Sequence, residues 1–155
     1  MKRLVIAVAS ILLTVRGAAQ TPSGSLGFYR SPDIRGETIV FAAEGDLWTV
    51  PVTGGLARRL TSHAAEESSP TISPDGGTLA FTARYEGPAA LYTMPLTGGA
   101  TLRRTFDGDA ANATTWTPDG KLVYTTVNYA GIPKPGMVQL DLRNGTRSLV
   151  PLAGA

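Results

Sequence analysis

The sequence predicts an all-β chain built as three four-stranded antiparallel units, and three observations carry that expectation. A Ser/Thr-Pro-Asp turn recurs as Ser31-Pro32-Asp33, Ser73-Pro74-Asp75 and Thr117-Pro118-Asp119, at intervals of 42 and 44 residues. A second landmark, Leu47-Trp48-Thr49-Val50-Pro51-Val52-Thr53-Gly54-Gly55, returns 44 residues later as Leu91-Tyr92-Thr93-Met94-Pro95-Leu96-Thr97-Gly98-Gly99. Its third copy, Met137 to Gly145, is altered but keeps the glycine. Finally, no stretch after residue 20 carries useful helical periodicity.

The elements follow in order within each unit. In Ser73-Pro74-Asp75-Gly76 the proline pre-sets φ for the second position of a type I turn, serine suits the first and glycine the fourth. That turn joins an inner strand near Pro70–Ser73 to a second strand, Thr78–Ala83. The runs Thr38-Ile39-Val40-Phe41 and Leu122-Val123-Tyr124 are its counterparts. Third strands are expected at Leu47–Val52, Leu91–Leu96 and Met137–Leu142, and fourth strands at Ala57–Thr61, Thr101–Thr105 and Thr146–Val150. The Gly-Gly and Asn-Gly pairs between them tolerate the positive φ that a tight hairpin requires. Pro51 and Pro95 lack an amide donor and belong where a ladder bond is missing. Ile34-Arg35-Gly36-Glu37 after the first aspartate implies a longer first hairpin, and Tyr129 to Gly136 implies a lengthened loop before Met137.

Four short strands in each unit of 40–45 residues are the arithmetic of a β-propeller blade. A sandwich or Greek-key barrel also uses short strands, but neither predicts a motif returning at that period. The expected organisation is a leader at 1–19, a linker at 20–27 and a partial propeller at 28–155, with blades at 28–66, 67–111 and 112–152. Closed propellers use four to eight blades as a rule, so three imply an incomplete ring and an N-terminal fragment of a longer chain. Open blade edges make self-association into a homo-oligomer an expected behaviour.

The leader reads as a signal peptide. Lys2 and Arg3 precede the apolar run Leu4 to Val15, and the small residues Gly17, Ala18 and Ala19 follow. Twelve mostly apolar residues are short for a membrane span, so no stable membrane span is expected after cleavage. The expected destination is export, periplasmic or secreted. The 155 residues carry a formal charge of +2, but without residues 1–19 the remainder holds 11 basic and 12 acidic side chains, a net −1. No lysine-rich stripe or aromatic platform argues for nucleic acid. With no cysteine and one histidine, a disulfide framework, a thiolate zinc site, cysteine catalysis and a multi-histidine metal site are excluded.

The chemistry-bearing residues are few. His63 must serve any Ser–His–acid relay, with Ser62, Ser68, Ser69, Glu66 and Glu67 nearby, but no Gly-x-Ser-x-Gly elbow presents a nucleophile. The stretch is expected to be a solvated connection between blades, its adjacent glutamates included. Asp107-Gly108-Asp109 opens like a calcium loop, yet Ala111 follows and the terminal glutamate is missing. Trp48 and Tyr92 occupy equivalent positions and are expected to pack between blades, and Trp116 reads as inner-strand core. The pairs Arg58-Arg59 and Arg103-Arg104 read as solvated strand residues, and Arg84-Tyr85-Glu86 marks a loop of the kind propellers bind with. No catalytic, cofactor or metal residue is assigned.

The Ser-Pro-Asp-Gly turn, Asp46-Leu47-Trp48, the Gly-Gly hairpin and Arg59-Leu60-Thr61 resemble the TolB-type, WD-like propeller repeat. Gly36 to Phe41, Gly45 to Val50 and Ala57 to His63 together resemble the first blade of tricorn-type serine peptidases. Trp116-Thr117-Pro118-Asp119-Gly120-Lys121 and Val150-Pro151-Leu152 resemble the third. This resemblance implies a parent with a six-bladed propeller, usually a second propeller, then a PDZ-like domain and a serine peptidase core. The propellers would gate or bind peptide substrates, and the catalytic residues would lie beyond this chain. The alternatives are a non-enzymatic TolB-like propeller that binds envelope proteins and a propeller attached to a prolyl-oligopeptidase or amidohydrolase domain.

Overall fold

The structure, a computed structural model, describes residues 27–106, 108, 110–129 and 132–152. The leader, all of the linker but Gly27, and both Asp107 and Asp109 lie outside the described residues. Among the described residues twelve strands form three antiparallel sheets of four. The first holds β1 (Arg30–Arg35), β2 (Thr38–Ala43), β3 (Asp46–Pro51) and β4 (Arg58–Arg59). The second holds β5 (Glu67–Ile72), β6 (Thr78–Ala83), β7 (Ala90–Pro95) and β8 (Leu102–Arg103). The third holds β9 (Ala111–Trp116), β10 (Leu122–Tyr129), β11 (Ile132–Leu140) and β12 (Arg147–Leu149). Each sheet is a meander in chain order, and the first strands β1, β5 and β9 lie side by side. These are propeller blades, as the repeat predicts.

The turn chemistry is the expected one in blades two and three. Gly76 donates its amide to the Ser73 carbonyl at 2.9 Å, and Gly120 does the same to Thr117 at 2.9 Å. Gly76 sits at φ 73°, where an L side chain is strained. The Ser73 and Thr117 hydroxyls then accept from the amides of Thr78 and Lys121, both at 2.9 Å.

The first Ser-Pro-Asp differs. It lies inside β1, and the hairpin is the short Gly36-Glu37 turn with Arg35 opposite Thr38, so the expected longer hairpin is corrected to a shorter one. The true counterpart of Ser31-Pro32 is Ser69-Pro70 in β5, 38 residues on. Ser31 and Ser69 take φ 48° and 49°, and each sits in a bulge opposite Phe41 or Phe81. Thr114 bulges at the same place in β9. Asp33, freed from a turn role, accepts from the Ile34 amide at 2.9 Å and from the Ile72 amide at 2.7 Å, tying β1 to β5.

The expected long loop before Met137 is also corrected. Residues there extend β10 and β11 into a long hairpin, with Tyr129 opposite Ile132 and an irregularity between Thr126 and Asn128. β-Branched residues at Val123, Thr125, Thr126 and Val127 favour that extension.

Two apolar seams hold the blades together. Val40, Ala42 and Leu47 meet Leu79, Phe81, Tyr92 and Met94, while Ala80 and Leu91 meet Leu122, Tyr124, Val138 and Leu140. Phe81 is fully buried, and burial of such a side chain contributes about 1.5–3 kcal/mol. Tyr92 is buried as expected; its counterpart Trp48 is half-buried because no described blade covers it. Matching backbone bonds cross both seams, from the Glu67 amide to the Gly45 carbonyl and from the Ala111 amide to the Ala89 carbonyl, each 2.9 Å.

Candidate functional site in the first seam and on the inner wall

At the end of the first seam where β5 begins, the repeat is broken by charge. Glu67 stands where the third blade has Ala111, and Asp46 where the second has Ala90. Both acids are buried, at 0% and 3% exposure, which corrects the expectation of a solvated Glu67. Both carboxylates have partners inside the seam. The Thr61 hydroxyl donates to one Glu67 oxygen and the Tyr85 hydroxyl to the other. The Thr61 oxygen itself accepts from the Leu47 amide at 2.9 Å. Thr105 repeats that last bond on Leu91 at 3.0 Å, so the threonine is a blade feature and the glutamate is the addition.

Burial pushes the Glu67 carboxyl above its ordinary value, against the pull of the Thr61 and Tyr85 hydroxyls, and the nearby Asp46 charge pushes the same way. Burial and the adjacent Glu67 drive the Tyr85 phenol strongly up, so it stays a proton donor to the carboxylate. Asp46 pairs with the Arg59 guanidinium and accepts from the His63 amide at 3.3 Å. Arg59 therefore has a buried partner and is not a merely solvated strand residue. Arg103 likewise pairs with Glu86 and reaches the Thr105 carbonyl at 2.8 Å, and Arg104 donates to the Thr93 hydroxyl at 2.7 Å.

His63 is exposed, as expected, and lies against the Tyr85 ring at 4.0 Å between centroids. Its Nδ1 accepts from the Ala65 amide at 3.0 Å, and among the described residues no serine hydroxyl bonds to it. The fold thus brings His63, Glu67 and Tyr85 together but leaves Ser62, Ser68 and Ser69 out of the group. Glu66 is exposed and pairs with Arg30 at 2.9 Å. Among the described residues no set of three His, Cys, Asp or Glu side chains could hold a metal ion. The cluster ties the start of β5 in the second blade to β3 and the segment after β4 in the first. Sequence reasoning missed Asp46 and the burial of Glu67. The usable signal was an acid at positions that are alanine in the neighbouring unit.

The second feature is a cleft of about 300 Å³ where the three first strands converge. Ser31, Asp33, Ser69, Thr71, Thr114 and Thr115 line it together with Pro32 and Pro70. The aligned bulges put two left-handed serines on this wall, a costly conformation of the kind that gathers at ligand-handling surfaces.

Comparison with known proteins places the chain in a family. Residues 26–155 match the model of the tricorn protease N-terminal β-propeller domain. The chain is 36% identical over 67 residues to tricorn protease homolog 1 of Streptomyces coelicolor, an alignment covering 43% of this chain and 6% of that protein. It superposes on the tricorn protease crystal structure with TM-score 0.65 and 22% identity, covering 75% of this chain and 12% of that one. TolB from Acinetobacter baumannii shares the fold, with TM-score 0.68 and 23% identity over 83% of this chain and 33% of that one. The chain therefore spans a small part of the length of the relatives it matches. With a family model covering all three blades, the chain belongs to the tricorn protease N-terminal β-propeller domain family.

Proposed function

We propose that this chain is the first part of the propeller of an exported tricorn-type serine peptidase, and that its inner wall receives peptide passing toward a catalytic domain carried elsewhere in a longer protein. The observation that supports this most is the convergence of β1, β5 and β9 on one polar cleft. Hydroxyls and strand edges on such a wall can hydrogen-bond an extended peptide backbone without selecting its side chains. Residues 1–19 support export through their basic start, apolar run and small-residue end. The 155-residue chain alone is expected to hydrolyse no peptide.

The test is made on the longer protein that this reading requires. Ser69→Trp and Thr114→Trp narrow the wall. They should slow hydrolysis of a long unstructured peptide severalfold while sparing a short chromogenic substrate. An equal loss on both substrates overturns the passage role, and a longer protein without a serine peptidase core overturns the peptidase reading. Serine-directed covalent labelling of the 155-residue chain, abolished by His63→Ala, would overturn its expected inactivity. Deleting residues 1–19 should leave the protein inside the cell.

A further inference from the structure

The seam between the first and second blades carries a cavity of about 440 Å³, lined by Thr61, Ser62, His63, Tyr85, Glu86 and Thr101 among others. Both of its walls belong to this chain, and it shares no residue with the inner-wall cleft. An aromatic stack runs behind it. His63 lies on Tyr85 at 4.0 Å between centroids, and Tyr85 lies on Tyr92 at 4.6 Å.

Two acceptors in this stack and at its edge are unfilled. Tyr92 is 3% exposed, and its hydroxyl has no hydrogen-bond partner among the described residues. A buried hydroxyl left without a partner is costly and rare in folded proteins. The charges acting on it are those of Arg103 and Glu86, which puts the hydroxyl on the Glu86 side of the cavity. Glu86 is exposed and gives Oε2 to the Arg103 guanidinium, keeping Oε1 for another donor. Ser62 and Thr101 add exposed hydroxyls to the lining.

The charges of the seam select among ligands. Asp46, Glu67 and Glu86 supply three carboxyl groups, against the guanidiniums of Arg59 and Arg103. Each guanidinium is already taken by one of those carboxylates, so an anion would meet acid with no free cation to hold it. A cation meets the free Glu86 oxygen and the face of an aromatic ring. The second seam has Ala90 and Ala111 where the first has Asp46 and Glu67, so the acidity is particular to this place.

We propose that this cavity takes the ammonium of a lysine side chain from a bound polypeptide, with Glu86 as its counter-charge, the Tyr85 ring against its methylene stem and the Tyr92 hydroxyl as a buried acceptor. A long apolar stem with a charged tip matches an aromatic wall that ends in unfilled acceptors. The site lies apart from the inner wall and does not rest on the peptidase reading.

Amide chemical-shift mapping of the labelled 155-residue chain tests this with Nα-acetyl-lysinamide as the probe. Shifts should centre on Ser62, His63, Glu86 and Thr101 and spare Ser31 and Thr114 on the inner wall. Nα-acetyl-norleucinamide, a similar stem without the charge, should bind at least about tenfold more weakly, and so should the lysine probe to Glu86→Gln. Tyr92→Phe removes a hydroxyl that bonds to no described group. Urea unfolding of that variant without probe should be unchanged or slightly later, while its lysine binding falls about threefold. No shift at the cavity, equal binding of the norleucine probe, tighter binding of Nα-acetyl-argininamide, or undiminished lysine binding by either variant would overturn the site.

Discussion

Replacing Tyr85 by phenylalanine removes one hydroxyl from the first seam and little else. The ring keeps its contacts with His63 at 4.0 Å and Tyr92 at 4.6 Å, so packing is spared. What is lost is the donor to one oxygen of the buried Glu67 carboxyl, leaving Thr61 on the other oxygen. A hydrogen bond to a charged group contributes about 1.5–3 kcal/mol, and one between neutral groups about 0.5–1.5 kcal/mol. The loss should therefore depend on whether Glu67 is ionised. Its folded-state pKa lies above 4.5, and the Tyr85 hydroxyl holds it down, so the substitution raises it further. Below pH 4.5 the carboxyl is protonated in both folded and unfolded chains, and the smaller loss applies. As pH rises through the elevated folded value, the loss grows by about 1–1.5 kcal/mol, roughly a tenfold change in the unfolding constant. Urea unfolding of both proteins at about pH 4 and about pH 8 reads this as a widening gap between midpoints. An equal gap at both pH values, or none at pH 8, would refute Glu67 as a buried, hydroxyl-clamped acid.

Other expectations follow from the same geometry. Ile72→Ala should destabilise the chain by about 2–5 kcal/mol, whereas Ile34→Ala, at the equivalent but exposed position, should change it by less than about 1 kcal/mol in a monomeric background; similar losses from both would deny that the two sites are repeats with and without a neighbour. Gly76→Ala at φ 73° should cost about 1–2 kcal/mol in thermal unfolding, while Gly77→Ala, which takes no left-handed φ and has room for a methyl, should cost far less. Arg143 holds the Asp141 carboxyl at about 2, so its contribution is present above pH 3.8 and fades as pH falls toward 2. Carboxyl-carbon titration by NMR should find that low value and see it return toward the ordinary range in Arg143→Gln.

The parts of the fold that were legible from sequence are those that local chemistry dictates. Ser73-Pro74-Asp75-Gly76 defines its own turn, and Thr78–Ala83 is a strand with the bounds expected of it. The first Ser-Pro-Asp misled because two Ser-Pro dipeptides stand four residues apart in the second unit, at Ser69 and Ser73. The sharper three-residue match pointed to the turn, while the structural equivalent is the bulge. Spacing alone could not separate them, since hairpin lengths change between blades and shift the period from one strand to the next. The long third hairpin was obscured by its prolines and glycines, which read as loop when cross-strand pairing cannot be seen. The Glu67 cluster was hidden for a different reason. A glutamate in a polar stretch looks solvated until the fold brings Thr61 and Tyr85 to its two oxygens.

The central claim is that β1, β5 and β9 form a wall that receives extended peptide. Amide chemical-shift mapping of the labelled 155-residue chain, titrated with an unstructured peptide, tests it most directly. The account predicts shifts centred on Ser31, Ser69, Thr71 and Thr114, with β4, β8 and β12 unmoved. Shifts confined to those outer strands, or none at saturating peptide, would contradict it.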